Sequence, residues 1–280
     1  MLIGCIALVS AVLAAVVCGL VGAFESLAWL WILPLVTLAG VLVLVGIGFA
    51  FLLYLCHRVD QNVPQEKDDP LYRFVANLVI QSALPVLRIR VKKSGMEKVP
   101  QSGRFLLVCN HCNDSDPIIL LKCFKKHQLA FISKRENQSM FVIGPMMHKL
   151  QCQLINREND REALKTILKC IQILKEDKAN IAVFPEGRIV KDGYLLHSFR
   201  PGVFKIAQKA NVPIVVCTVN GTQNIMKNIK RFRRTRIDFH LLEVIPADEL
   251  KGVTTVDIAQ RVHSLMAADL GQENVAEKDA

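Results

Sequence analysis

Between Met1 and Cys56 the only charged side chain is Glu25, and this constrains the fold before any motif is considered. Residues 2–24 form one uncharged run and residues 27–55 a second, each long enough to cross the hydrocarbon core of a bilayer as a helix. The second run is longer than a span needs, which predicts a tilt or a break near Pro34. The first lacks the basic n-region of a cleaved signal peptide, and another span follows directly. A retained two-helix transmembrane hairpin over residues 1–58 is therefore expected. Glu25 lies in the short connection while His57 and Arg58 close the second run, a bias that puts both termini on the cytoplasmic face of the cell membrane. Trp29, Trp31 and Tyr54 lie near the ends of the second run, where amphipathic rings favour the headgroup region.

The rest of the chain has a different character. Setting Glu25 aside leaves 35 Lys and Arg against 24 Asp and Glu, a net of +11 on the remainder. Nine cysteines, an odd and scattered set, do not make a disulfide framework and fit a reducing compartment. Residues 59–95 read as a polar linker followed by an amphipathic helix. In that helix Leu71, Phe74, Val75, Leu78 and Val79 recur at helical spacing, which suits a core helix and an interfacial helix equally. Residues 96–270 then alternate short apolar runs with helical patterns. The runs are 104–109, 129–133, 152–156, 180–184, 213–219 and 236–245, and the clearest helices are 161–178 and 201–210, the latter ended by Asn211. Uniformly apolar strands alternating with helices predict an α/β fold: a mixed, mostly parallel sheet covered by helices. Residues 271–280 read as a loose tail.

The stretch VCNHCNDSD (108–116) offers three chemistries. Cys109 and Cys112 have the spacing of a redox dithiol or half of a zinc site. A dithiol of that kind opens a helix, however, and here the helix-start signal is Asp116-Pro117, after both cysteines. A zinc site needs a second ligand pair, and the sequence has neither another C-x-x-C nor an H-x3–5-H. No metal and no cofactor is expected. His111 and Asp116 remain, as H-x-x-x-x-D directly after a buried strand. A carboxylate holding one imidazole nitrogen leaves the other free to take a proton. Other apolar runs end in Lys134, in Arg157 and in Pro185-Glu186-Gly187-Arg188. In a parallel sheet these ends share one edge, and cations gathered there suit a phosphate-bearing substrate.

Taken together, NHCNDSD, FPEG (184–187) and VPIVV (212–216) resemble the PlsC-type glycerolipid acyltransferases over roughly residues 90–245. Asn110-His111 and Asp116 match that family's NH-x4-D motif, whose His and Asp form its catalytic pair. Lys134, Gly144 and Arg157 match the stretch through its second motif; Phe184 to Gly187, with Asp192-Gly193 and Phe199 to Gly202, match the third; Val212-Pro213 match the fourth. The chain departs from the pattern at Asn113, where the family has Ser, at Arg188, which follows Gly187 directly, and at Val216, where a second Pro is common. The resemblance implies transfer of a fatty acyl group from acyl-CoA or acyl carrier protein to the sn-2 hydroxyl of 1-acylglycerol 3-phosphate, giving phosphatidic acid. It implies His111 and Asp116 as catalytic residues, with Lys134, Arg157, Glu186, Gly187 and Arg188 binding substrate. Transfer to another lysolipid or an amino-acid lipid is the nearest rival, and a non-enzymatic membrane tether the more distant one. The basic run 227–236 suits anionic membrane lipid rather than nucleic acid, given the adjoining spans.

Overall fold

The computed structural model describes residues 2–157 and 159–276. It comprises two compact units, Met1–Asp60 and Gln61–Ala280. In the first, α1 (Leu2–Leu20) packs on α2 (Trp29–His57). Ser10, Ala14 and Cys18, four residues apart, are the buried positions of α1. A Cβ added at Gly40 would stand 3.1 Å from that of Ser10, so small residues let the two backbones approach closely. Outward positions such as Leu8, Leu20 and Trp31 are large, apolar and exposed. Both helices are long and apolar enough to cross a membrane. The break expected near Pro34 is absent, because Pro34 lies within the first two turns of α2 and the helix continues through it.

The second unit is built on a seven-stranded sheet. Its elements are α3 (Pro70–Val86), β1 (Ile89–Ser94), β2 (Leu106–Cys109), α4 (Asp116–Cys123), β3 (Leu129–Lys134), α5 (Ile143–Lys149), β4 (Gln153–Ile155), α6 (Asp160–Lys175), β5 (Asn180–Val183), α7 (Lys205–Ala210), β6 (Ile214–Asn220), α8 (Ile225–Lys230), β7 (Thr235–Ile245) and α9 (Thr255–Leu270). The strand order is β1-β7-β6-β2-β5-β3-β4. β7 runs antiparallel to β6 and parallel to β1, and the remaining pairs are parallel. The sheet is thus mixed and mostly parallel. All six predicted strands are present.

The pleat divides the core in two. Leu106, Val108, Ile181, Val183, Ile214 and Val216 face α6, α7 and α9; Leu107, Cys109, Ala182, Val215 and Cys217 face α3 and α4. α3 packs by Tyr72, Val75, Ile80 and Leu84, while Leu71, Phe74 and Val79 stay exposed, so of the predicted stripe only Val75 is buried and the core face is rotated away from it. Arg73 pairs with Asp68 and donates to the Leu129 carbonyl at 2.9 Å, tying α3 to β3.

Three expectations need correction. β1 falls where the sequence showed only the end of a helix and no strand. Residues 271–276 are not loose: Val275 bridges Leu196, and the amides of Leu195 and Ala276 bond across at 2.8 and 2.9 Å. The rest of the predicted tail lies outside the described residues. The linker, too, is docked, with Gln65 accepting from Lys149 Nζ at 3.0 Å and from Gln151 Nε2 at 2.7 Å.

Candidate active site

β2, β5, β3 and β4 are neighbours in that order and point the same way, so their carboxyl ends present His111, Glu186, Lys134 and Arg157 along one edge. This is where open α/β sheets collect ligands. Asn110, fully buried, fixes the chain as it leaves β2. Its Oδ1 accepts the Val219 amide at 2.8 Å, and its Nδ2 donates to the carbonyls of Leu195 and Val219, both at 3.0 Å. The end of β2 is thereby braced to β6 and to the 195 loop.

His111 follows directly. Its Nδ1 lies 2.9 Å from Asp116 Oδ2, which leaves Nε2 as the nitrogen able to take a proton. The ring stacks on Phe184, centroids 4.0 Å apart and planes within 14°. Phe131 lies in near-parallel planes on the same phenylalanine at 6.4 Å. A carboxylate at one end and an aromatic face along its length hold the imidazole in one orientation.

Asp116 is fully buried and is the first residue of α4, as the helix-start signal placed it, but its side chain does not cap the helix. Its Oδ2 instead accepts the amides of Cys112 at 2.8 Å and Asn113 at 2.7 Å besides the imidazole. The turn is closed by Asn113, whose Oδ1 accepts the amide of Ser115 at 3.1 Å and its hydroxyl at 2.6 Å. That supplies a local reason for Asn at this position: its side chain reaches two residues on, as Asx turns do.

The cysteines do not fit dithiol chemistry. Cys109 is fully buried at the end of β2, and burial pushes its thiol well up; burial, followed by the Asp116 charge, pushes up Cys112. Both stay protonated and weakly nucleophilic.

Glu186 enters from the β5 turn. Its Oε1 accepts the His111 amide at 3.1 Å. Its Oε2, buried without a hydrogen bond among the described residues, lies 3.6 Å from His197 Nδ1, and His197 Nε2 in turn meets Asp192 Oδ2 at 3.0 Å. Burial above all, reinforced by the Asp116 and Asp192 charges and opposed by amide bonds, pushes the Glu186 carboxyl up to about 9. It is therefore a neutral acid at neutral pH. Gly187 follows at φ 75°, in the left-handed region, and a Cβ there would stand 3.0 Å from Arg200 Nε. The Arg200 amide bonds the Pro185 carbonyl at 2.8 Å, fastening it to the same turn.

Lys134 and Arg157 are exposed at their strand ends. Partial burial, then the neighbouring Arg200 charge, pull the Arg157 guanidinium down. Neither Arg157 nor Arg200 has an acidic partner at bonding distance among the described residues. Two close guanidiniums of that kind form a ready seat for a phosphate. His111, Asp116, Glu186 and Gly187 are thus brought together. Arg188 is exposed, and Arg200, which the sequence reading passed over inside the Phe199–Gly202 match, is the cation against the Gly187 turn.

Comparison with known proteins agrees with this arrangement. The family model described as Acyltransferase matches residues 90–220. A probable 1-acyl-sn-glycerol-3-phosphate acyltransferase of Mycoplasma pneumoniae is 30% identical over 76% of this chain and 78% of its own. A chloroplastic 1-acyl-sn-glycerol-3-phosphate acyltransferase of Arabidopsis thaliana is 32% identical over 55% of this chain and 42% of its own. The crystal structure of PlsC, the 1-acyl-sn-glycerophosphate acyltransferase of Thermotoga maritima, superposes with a TM-score of 0.61 at 20% identity, over 82% of this chain and 90% of that one, which establishes the shared fold. The chain belongs to the PlsC-type acyltransferase family and is an O-acyltransferase.

Proposed function

We propose that the protein is a membrane-bound enzyme that transfers a fatty acyl group from a thioester, carried by coenzyme A or acyl carrier protein, to the sn-2 hydroxyl of 1-acylglycerol 3-phosphate. The product is phosphatidic acid, an intermediate of phospholipid synthesis. The observation that carries this reading is the His111–Asp116 pair, 2.9 Å apart at the sheet edge where Lys134, Arg157 and Arg200 gather positive charge. His111 Nε2 takes the acceptor hydroxyl proton as that oxygen attacks the thioester carbonyl. The tetrahedral intermediate collapses, the thiolate leaves, and the imidazolium returns its proton to the sulfur. The acceptor hydroxyl is itself the nucleophile, so no serine or cysteine of the protein takes part. General-base help of this kind is worth about 10²–10⁴ in rate.

Lys134, Arg157 and Arg200 hold the acceptor phosphate. Glu186, neutral, holds the His111 amide and shapes the acceptor site without adding negative charge beside that dianion. The reaction needs no metal or cofactor beyond the thioester. The α1–α2 hairpin spans the membrane, both termini cytoplasmic, so that the catalytic unit meets cytosolic donors and a membrane-resident acceptor.

The test is labelled acyl-CoA with 1-acylglycerol 3-phosphate and full-length protein in proteoliposomes, beside a panel of other lysolipids. Phosphatidic acid should form and should be lost in His111→Ala at unchanged expression. A different preferred acceptor would displace the phosphate assignment, and activity retained by His111→Ala would remove that residue from the mechanism.

A further inference from the structure

β6 ends at Asn220 opposite Asp238 near the start of β7, and β1 begins at Ile89 opposite Thr235. The β6–β7 connection and the end of α3 therefore lie on the same edge of the sheet as His111. That connection holds α8 and a tight turn from Arg231 to Arg234. Phe232 at its tip is 81% exposed. It is also held at φ 53°, a conformation that bulky L-residues avoid. Three bonds impose it: the Phe232 amide to the Ile229 carbonyl at 3.0 Å, the Arg233 amide to the Asn228 carbonyl at 2.9 Å, and Arg88 Nη1 to the Phe232 carbonyl at 2.5 Å. The two backbone bonds are those of a cap closing α8, with Phe232 in the left-handed position that Gly or Asn usually takes, and they hold its ring out in solvent among the cations. Met226 on α8 and Val86 at the end of α3 are also exposed, at 60% and 62%.

Around these apolar groups lie Lys227, Lys230, Arg231, Arg233, Arg234 and Arg236, with no acidic residue from 221 to 237. None of the six is in an ion pair among the described residues. We propose that this corner docks the catalytic edge on an anionic bilayer, with Phe232 and Met226 entering the headgroup–acyl boundary and the cations at the level of the phosphates. The inference rests on the lysolipid reading above and names the surface by which that edge meets its substrate. Cations alone satisfy an acidic protein; an aromatic projected into solvent from among them needs an apolar phase beside the charge.

The test uses the full chain in nanodiscs, with Trp29→Phe and Trp31→Phe as background and Phe232→Trp as the only tryptophan. Emission should shift to the blue and be quenched by brominated phospholipid, more strongly when the disc contains phosphatidylglycerol than when it is phosphatidylcholine alone. Water-exposed emission without quenching overturns the proposal. In parallel, Phe232→Ser combined with Arg231→Gln, Arg233→Gln and Arg234→Gln should lower kcat/KM about tenfold for bilayer-embedded acceptor. The same variant should turn over a short-chain acceptor dissolved as monomers like the parent. Equal losses on both acceptors, or a loss only when acyl carrier protein is the donor, would make the corner something other than a lipid surface. Failure of the parent to acylate any lysolipid would defeat the functional reading while leaving the quenching result to decide this one.

Discussion

Asp116 Oδ2 collects an imidazole and two amides within 3 Å, so it both orients His111 and fixes the loop that carries it. In Asp116→Asn one amide oxygen can keep the two backbone bonds, but the charge that stabilises the imidazolium is gone. We expect kcat to fall about 10²–10⁴-fold with the acceptor KM little changed, read from initial rates in proteoliposomes. Glu186 predicts the opposite sensitivity. Its carboxyl is raised to about 9 from the ordinary 4.5, so the proton is bound more tightly in the folded state. Its contribution to stability is complete below the unfolded value and is lost as pH rises through the folded one. The parent's Tm in detergent should therefore decline between about pH 5 and pH 9, and Glu186→Gln, neutral throughout, should flatten that decline. The same variant should keep activity within about tenfold, because an amide oxygen still accepts the His111 amide. His111, Asp116 and Glu186 were legible in the sequence because each directly follows an apolar strand or opens the next helix. Asn113 and Arg200 were not: the role of one is a bond two residues along a turn, and that of the other depends on which cation the turn brings back.

The central strands were legible because of their burial. β2, β3, β5 and β6 announced themselves as apolar runs because most of their residues are covered on both faces, whereas β4 at the edge and the alternating β7 were read from their shorter or alternating apolar positions. β1 did not announce itself, since it lies at the sheet edge and only Ile89 of its six residues is buried; Arg90, Lys92 and Lys93 read as surface whatever the backbone does. Among the connecting turns, the one after β5 is the most restrictive. Gly187→Ala forces a Cβ into the left-handed region and to within 3.0 Å of Arg200 Nε, which must then move. Left-handed strain costs on the order of 1–3 kcal/mol, which the fold can absorb, so the main consequence is local. Acceptor KM should rise about tenfold while kcat changes less, measured by varying lysolipid at saturating acyl-CoA. Asn110→Ala acts on the other side of the site. It strands three buried backbone groups of β6 and the 195 loop, each worth about 1–3 kcal/mol, and should lower stability before it lowers chemistry.

At the scale of the whole chain, all seven strands and both halves of the core belong to Gln61–Ala280, whereas Met1–Asp60 holds two helices whose outer faces are almost wholly apolar. The division between the two was the plainest statement the sequence made, because a fifty-six-residue stretch with one charge cannot form the outside of a soluble fold. What no periodicity disclosed was that the second unit has its own apolar, cationic corner, since Phe232 reads from sequence as one more residue of a basic run. The two features predict different kinds of attachment. A spanning hairpin holds by apolar burial and ignores salt and alkali; a cationic surface with one or two inserted side chains is reversible and screened. The full chain should therefore stay with membranes through alkaline carbonate. A chain lacking residues 2–58 should melt cooperatively, since its core is intact, and should sediment with phosphatidylglycerol vesicles at low salt. It should then be released by about 0.5 M salt, where the screening length falls to a few ångströms. Release of the full chain by carbonate would refute the spanning hairpin, and salt-resistant binding of the truncated chain would require a deeper insertion than Phe232 and Met226 provide.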